Sequence, residues 1–134
     1  MIRYGEPEDL VQIYAFDEFG GDRKIEIAQK RLQVYVRDNQ VIGYVTFTNA
    51  SCLCGHPSIS FLCVHPEYRR QGIGSALISK IEQKCIGQKL FVSTESNNPV
   101  MLSLIEKRKY RRSGSLSGLN DDGSDEIYFY KNSI

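Results

Sequence analysis

The segment from Ile59 to Leu77 constrains the fold most, because it has the pattern of a strand, a polar loop with two glycines and the start of a helix. The run 59–64 is apolar, and after the loop apolar residues recur every four positions, at Ile73, Leu77, Ile81 and Cys85. The first N–H groups of a helix lack an internal partner and lie at the positive end of its dipole. The junction therefore predicts an anion site, with a phosphate or pyrophosphate as the ligand.

The residues of this loop indicate which class of phosphate-containing ligand it would bind. Gly72 and Gly74 carry no Cβ that would keep a ligand away from the backbone, and Arg69 and Arg70 add positive charge. A Walker loop needs Lys followed by Ser or Thr after its second glycine, but here Ser75 and an alanine follow. The dinucleotide fingerprint needs a small residue at position 77, which is leucine. Both nucleotide-binding patterns therefore fit poorly.

The hexapeptide Arg69–Gly74, RRQGIG, resembles the coenzyme A loop of the GNAT superfamily of N-acetyltransferases, whose signature is Gln/Arg-x-x-Gly-x-Gly/Ala. The preceding residues 64–68, VHPEY, resemble the hydrophobic-x-Pro-x-Tyr lead-in of that family. The resemblance implies an acetyltransferase that uses acetyl-CoA as co-substrate and acetylates a primary amine of a small molecule or peptide. The alternative is a non-catalytic module that binds CoA or acetyl-CoA and acts as a sensor or in protein interactions.

The resemblance also implies which residues contact the coenzyme. Main-chain groups of residues 62–64 would bind the pantetheine arm as a neighbouring strand would, and amides 70–75 would bind the pyrophosphate. Asn98, before Pro99, is a helix N-cap by its residue type, and the resemblance adds a contact with the coenzyme arm. The Gln71 side chain is expected to point to solvent. The complete predicted set is Leu62, Cys63, Val64, Arg69, Arg70, Gln71, Gly72, Ile73, Gly74, Ser75 and Asn98.

The catalytic residues stay unassigned at this point. Acetylation of an amine needs a neutral nucleophile and a proton for the departing thiolate. The resemblance places the usual acid at position 105, which is Ile105, and the usual carboxylate at Ser93 or near Ser58, so neither is present. Substitutes could come from His56, Glu95 or Tyr110, although the first two lie in a polar loop and at a strand end. Tyr110 lies where an aromatic residue normally packs in the core.

Hydrophobic periodicity and turn residues predict a β-α-α-β-β-β-α-β-α-β-β order, which is also the order of GNAT domains. The predicted strands cover residues 1–4, 33–37, 40–48, 59–64, 89–94, 110–116 and 126–131, and Asp38-Asn39 forms a hairpin turn. Helices begin at Pro7, near Lys24, at the Gly72 loop and after Asn98. The predicted apolar sides carry Leu10, Ile13 and Tyr14 in the first helix, Ile25, Ala28 and Leu32 in the second, and Met101, Leu102, Leu104 and Ile105 in the last. The resemblance implies an α/β (α+β) GNAT fold, a mixed central sheet with a splayed strand pair and flanking helices, as one domain over residues 1–134.

Composition excludes several other classes. Lys and Arg total 17 against 16 for Asp and Glu, so no net charge points to nucleic acid or a membrane. The charged N-terminus has no signal-like apolar region, and no apolar run reaches the length of a membrane span. The four cysteines are expected to be reduced thiols, which favours a cytoplasmic location. The expected partners are acetyl-CoA or CoA and an amine-bearing acceptor, and a homodimer stays open.

Three polar clusters have structural explanations beside functional ones. Residues 52–56, CLCGH, offer three soft ligands, but zinc needs a fourth and the spacing is unusual, so no metal is expected. The positive charges of the basic run 107–112, KRKYRR, complement the negative end of a helix dipole. Alternatively, this run contacts RNA, another protein or the coenzyme phosphates. Asp17, Glu18 and Asp22 flank a glycine pair, either as a solvated loop or as a region that receives a cationic acceptor.

Overall fold

The computed structural model describes residues 1–133, and these contain seven strands and four α-helices. The strands are β1 (Ile2–Tyr4), β2 (Leu32–Arg37), β3 (Gln40–Thr48), β4 (Ser58–Val64), β5 (Lys89–Glu95), β6 (Arg111–Leu116) and β7 (Glu126–Asn132). The helices are α1 (Leu10–Tyr14), α2 (Arg23–Ala28), α3 (Ile73–Lys84) and α4 (Pro99–Lys107), with short 3-10 turns at Pro7–Asp9 and Pro66–Tyr68. The element order predicted from the sequence is therefore confirmed.

The chain forms two compact units. The first unit comprises Met1–Thr48 with Ile59–Lys84, and its strands are ordered β1-β2-β3-β4. β2 pairs antiparallel with both β1 and β3. Its core is formed by the buried residues Ile13, Phe16, Ile27, Leu32, Val34, Val41, Tyr44 and Cys63. The second unit comprises Asn49–Ser58 and the chain from Cys85 onward, with β7 between β5 and β6 and antiparallel to both.

The helix that follows the glycine loop is anchored as its periodicity predicts. Ile73, Leu77 and Ile81 are all buried on one side of α3. Gly43 on β3 makes this packing possible, since a Cβ there would lie 3.2 Å from Cγ2 of Ile73 and 3.3 Å from Cδ1 of Leu77. The beginning of α3 is thereby held close to the sheet.

The predicted faces of the first two helices are partly wrong. Ile13 on α1 is buried, but Tyr14 is exposed. In α2 the predicted apolar side does not face inward: Ile25 is exposed, and Leu32 belongs to β2 rather than to the helix. The inward face instead carries Arg23, Glu26 and Ile27, at i, i+3 and i+4 spacing.

Arg23 explains why charged residues line the inward face of α2. Its Nη1 lies 2.9 Å from Oε1 of Glu26, and its Nε lies 3.2 Å from Oδ2 of Asp17. The guanidinium group also lies over the Phe61 ring, 4.6 Å from the centroid, and contacts the carbonyl of Gly20. Burial raises the pKa of Glu26, and the positive charge of Arg23 opposes that rise. The ion pairs therefore make burial of three charges possible.

Candidate active site

The loop between β4 and α3 turns through a short series of defined backbone conformations. His65 caps the 3-10 turn, because its Nδ1 accepts a hydrogen bond from the Glu67 amide at 3.1 Å. Two residues then adopt left-handed backbone angles, Arg70 with φ 63° and Gly72 with φ 79°. Glycine adopts this conformation without a steric penalty, so Gly72 suits the last turn before α3.

The N-terminus of α3 is open at the predicted anion site. The amide of Ala76 donates to the Gly72 carbonyl at 3.0 Å, and the amides of Ile73 and Gly74 precede this first helical bond. Gly72 is exposed, and apart from its two neighbours in the chain no residue within 1–133 has an atom within 4 Å of the position that a Cβ would occupy. A ligand can therefore approach the backbone closely, with the positive end of a twelve-residue helix behind it.

The sequence predicts that Arg69 and Arg70 both add positive charge at the loop, but the structure places the cations differently. The Arg69 guanidinium group is engaged by the protein: Nε donates to the Val64 carbonyl at 3.0 Å, and Nη2 pairs with Glu18. Arg70 is exposed. A third cation comes from β2, where Nη1 of Arg37 donates to Oε1 of Gln71 at 2.7 Å. Arg37 is not among the predicted residues, because it lies 34 positions away and only the fold brings it to the loop.

The predicted coenzyme contacts on β4 are main-chain groups. Leu62 and Val64 are half-buried, and the Cys63 side chain is buried in the core of the first unit. Burial raises the pKa of the Cys63 thiol to about 11, and its Sγ donates to the Phe16 carbonyl at 3.6 Å. The thiol is therefore protonated at neutral pH and structural, so it is not a nucleophile.

Asn98 caps the fourth helix as its residue type predicts. Its Oδ1 accepts a hydrogen bond from the Met101 amide at 3.1 Å, and Pro99 occupies the first helical position. Ile105 on α4 is fully buried, whereas the predicted neighbours Met101, Leu102 and Leu104 are only half-buried. The capping role of Asn98 is confirmed, and its contact with the coenzyme stays a prediction.

Ser93 forms a hydrogen bond with a carboxylate on the neighbouring strand. Its hydroxyl donates to Oε2 of Glu126 at 2.7 Å. The other carboxylate oxygen, Oε1, accepts from Nδ2 of Asn120 at 3.1 Å. Glu126 is not among the predicted residues, since it lies 33 positions from Ser93 and no motif marks it.

The register of β5 and β7 places several polar groups on one face of the second unit. Ser93 lies opposite Tyr128, and Glu95 lies opposite Glu126. Burial raises the pKa of Tyr128, as do the negative charge of Glu126 and the nearby Cys52, while a hydrogen bond with Ser93 acts in the opposite direction. The Tyr128 phenol therefore stays protonated at neutral pH.

The three proposed substitutes for the catalytic residues lie in different settings. The His56 ring packs 5.5 Å from the Phe91 ring, and Glu95 accepts a long hydrogen bond from Thr94 at 3.3 Å. Tyr110 is buried, with the Lys131 ammonium group 5.4 Å from its ring centroid. The structure thus places Tyr110 in the core, where the sequence pattern puts an aromatic residue.

The acidic loop and the basic run both form contacts within the protein. Asp17 pairs with Arg23, Glu18 pairs with Arg69, and Asp22 caps α2 by accepting from the Ile25 amide at 3.2 Å. At the other end of the chain, the basic run begins at the end of α4, as the helix-dipole interpretation predicts. All three acidic residues therefore stabilise local structure in the first unit.

The structure adds two observations on ligands and membranes. Cys52 and Cys54 are exposed free thiols, and no group of three or more potential metal ligands occurs within residues 1–133. In the same part of the chain, no helix has both the length and the apolar character needed to span a membrane.

Comparison with known proteins agrees with the fold. A GNAT-family acetyltransferase from Bacillus cereus has a TM-score of 0.83 at 26% identity, over 100% of this chain and 97% of that one. An acetyltransferase structure from Salmonella typhimurium with acetyl-CoA has a TM-score of 0.78 at 16% identity, over 100% and 94% of the two chains. The predicted fold class is confirmed. The predicted divergence of a strand pair concerns β4 and β5. Because these two strands belong to different units, it stays a prediction.

Sequence comparison identifies the family. Acetyltransferase SG1711 of Sodalis glossinidius is 36% identical over 81 residues, which span 58% of this chain and 57% of that protein. The match to the mouse Cysteine-rich protein 2-binding protein covers only 6% of its length, so the chain spans well under two thirds of these relatives. The sequence profile described as "Acetyltransferase (GNAT) family" matches residues 4–110. With this match over most of its length, the chain belongs to the GNAT acetyltransferase family.

Proposed function

We propose that this protein transfers the acetyl group of acetyl-CoA to a primary amine of a small molecule or peptide. The observation that carries the proposal is the exposed N-terminus of α3, reached through Gly72 and flanked by Arg70 and Arg37. Related acetyltransferases, such as the Salmonella typhimurium protein, bind acetyl-CoA. The family match supports the acyl-transfer reaction.

In this proposal the coenzyme phosphates accept hydrogen bonds from the amides at the start of α3. The glycine backbone allows close approach, and the helix dipole stabilises the negative charge. Arg70 and Arg37 supply positive charge, whereas Arg69 orders the loop by joining the Val64 carbonyl to Glu18. Main-chain groups of Leu62, Cys63 and Val64 are proposed to bind the pantetheine arm. Asn98 is a further proposed contact that rests on the family resemblance.

A matched pair of variants at one position tests the phosphate site. Asn and Asp are the non-glycine residues that best tolerate the left-handed conformation of Gly72, so Gly72→Asn and Gly72→Asp carry similar strain. They differ by one negative charge. A like charge about 4 Å from a phosphate costs roughly 1–4 kcal/mol, so calorimetric titration with CoA should show at least about fivefold weaker binding for the Asp variant.

Two further variants serve as controls in the same titration. Arg37→Gln should weaken CoA binding, whereas Arg31→Gln, which removes a half-buried arginine bonded to Gln29, should not. Circular dichroism and thermal melting check that each variant folds. Equal CoA affinity of the two Gly72 variants, with both folded, would place the phosphates elsewhere.

A non-catalytic coenzyme-binding module is the second candidate function. It is favoured by the buried, apolar Ile105 at the position where the resemblance implies a proton donor. Such a module would bind CoA as strongly as an enzyme but would release no free thiol when amines are added. Measurement of thiol release therefore separates the two candidates.

A further inference from the structure

The sheet of the second unit has its positive and negative charges at opposite ends. β5 begins with Lys89 and ends with Glu95, which lies opposite Glu126 at the start of β7. Because β5 and β6 both pair antiparallel with β7, they begin at the same end, and the basic run 107–112 leads into β6 there. The net charge of +1 therefore conceals a basic end of the sheet, which comprises Lys89 and residues 107–112.

The cations of this basic end lack counter-charges. Of the ion pairs formed within residues 1–133, none includes Lys89, Lys107, Lys109, Arg111 or Arg112. All of these residues except Lys89, which is half-buried, are exposed. Positive charges that are gathered in this way create a local field that attracts anions. The basic end is therefore suited to an anionic partner.

Aromatic rings lie beside these cations on the half-exposed face of the same sheet. Phe91 and Tyr130 are directly opposite each other on β5 and β7, with their ring centroids 5.8 Å apart. The His56 ring continues the row, 5.5 Å from the Phe91 ring. The Lys89 ammonium group and the Arg111 guanidinium group lie 5.3 and 5.8 Å from the centroid of the Tyr130 ring. All three rings are half-buried, so part of each is accessible to a ligand.

Rings and cations on one face are the groups with which proteins bind single-stranded nucleic acid. The bases of a single strand are free to stack on aromatic side chains or on an arginine guanidinium plane, while the phosphates pair with cations. Aromatic residues on the face of a sheet stack successive bases in this way. An acidic peptide would pair with the cations, but its carboxylates have no aromatic planes to stack on the rings.

We infer that this face binds single-stranded nucleic acid, with bases stacked on Phe91 and Tyr130 and phosphates paired with Lys89 and the exposed cations of the run 107–112. Stacking and phosphate contacts carry no sequence information, so binding is independent of sequence. The site shares no residue with the proposed coenzyme site, and the inference does not depend on acetyl transfer. It gives the basic run a role beyond compensation of the α4 dipole.

The stacking contact is tested with a labelled oligouridylate of about 12 nucleotides, whose binding is followed by fluorescence anisotropy. Tyr130→Leu keeps an apolar side chain but removes the ring, so it should weaken binding at least about fivefold. Tyr14→Leu is the matched control, because Tyr14 is exposed on α1 of the first unit, and it should bind as the wild type does. Circular dichroism checks that each variant folds.

The phosphate contact is tested by the salt dependence of the same binding. Each phosphate that a cation neutralises adds about 0.7 to the slope of log affinity against log salt. Lys89→Gln should therefore lower the slope by about 0.7, whereas Lys24→Gln, at an exposed position of α2, should leave it unchanged. This pair also keeps the inference testable if Tyr130→Leu does not fold.

Four results would overturn the inference. The wild type could fail to bind the oligouridylate at low salt, or a folded Tyr130→Leu could bind it as tightly as Tyr14→Leu does. An RNA duplex of the same length could bind at least as tightly, although its paired bases cannot reach the rings. Polyglutamate of equal charge could bind as tightly, which would make the basic end a contact for acidic proteins. Saturating CoA should not displace the oligouridylate, since displacement would place the strand at the coenzyme loop.

Discussion

Arg23 is the residue on which the interior of the first unit depends most. Its side chain is 1% exposed and lies between the Tyr44 and Phe61 rings, next to Asp17 and Glu26. Neither its Nε nor its Nη1 has ideal hydrogen-bond geometry, so the attraction between charges is the main interaction. No periodicity in the sequence predicts this arrangement, because an arginine at a helix start is ordinarily a solvated residue.

Arg23→Ala should destabilise the protein by about 3–5 kcal/mol, because two buried carboxylates lose their counter-ion. Urea denaturation measures this change. Arg112→Ala, a change of the same kind at an exposed position, is the control and should change the free energy of unfolding by less than about 0.5 kcal/mol. A loss below about 1 kcal/mol for Arg23→Ala would mean that water or other residues compensate the carboxylates.

The helices and strands show where local sequence determines structure and where tertiary contacts do. Strand bounds and the β2–β3 turn follow from alternation and turn residues, as at Asp38-Asn39. The inward face of α2 could not be predicted, because paired charges replace the apolar side. Arg37 and Glu126 could not be predicted either: each meets its partner, Gln71 or Ser93, only in the folded chain, across more than thirty positions of sequence.

The turn between β2 and β3 gives a prediction for a single element. Asp38 and Asn39 both have left-handed angles, φ 51° and 60°, as a two-residue hairpin turn requires. Asn39→Gly should therefore be at least as stable as the wild type, whereas Asn39→Ala should lose about 1 kcal/mol from strain at positive φ. Thermal or urea unfolding of the three proteins compares them. Equal stability of the Ala and Gly variants would contradict this interpretation of the turn.

At the scale of the whole molecule, the glycine loop is the part of the candidate site that the sequence determines best. The proposed phosphate ligands there are backbone amides, so the required residues are consecutive and visible as a motif from Arg69 to Gly74. A catalytic acid or base has no such motif, since any segment of the chain that lies near the substrate can supply it. A single domain over residues 1–134 stays a prediction, and one cooperative unfolding transition that shifts on CoA addition would support it.

The central claim is acetyl transfer to an amine, and release of free thiol from acetyl-CoA tests it most directly. The acceptors are polyamines, aminoglycosides, amino acids and peptide N-termini, each at several pH values, with the Gly72→Asp variant, which should bind coenzyme more weakly, as the control. The account predicts release that depends on the acceptor, that rises with pH as more amine becomes neutral, and that is lower in the control at acetyl-CoA concentrations below saturation. Tight binding of acetyl-CoA without any acceptor-dependent release would contradict it and favour the non-catalytic module.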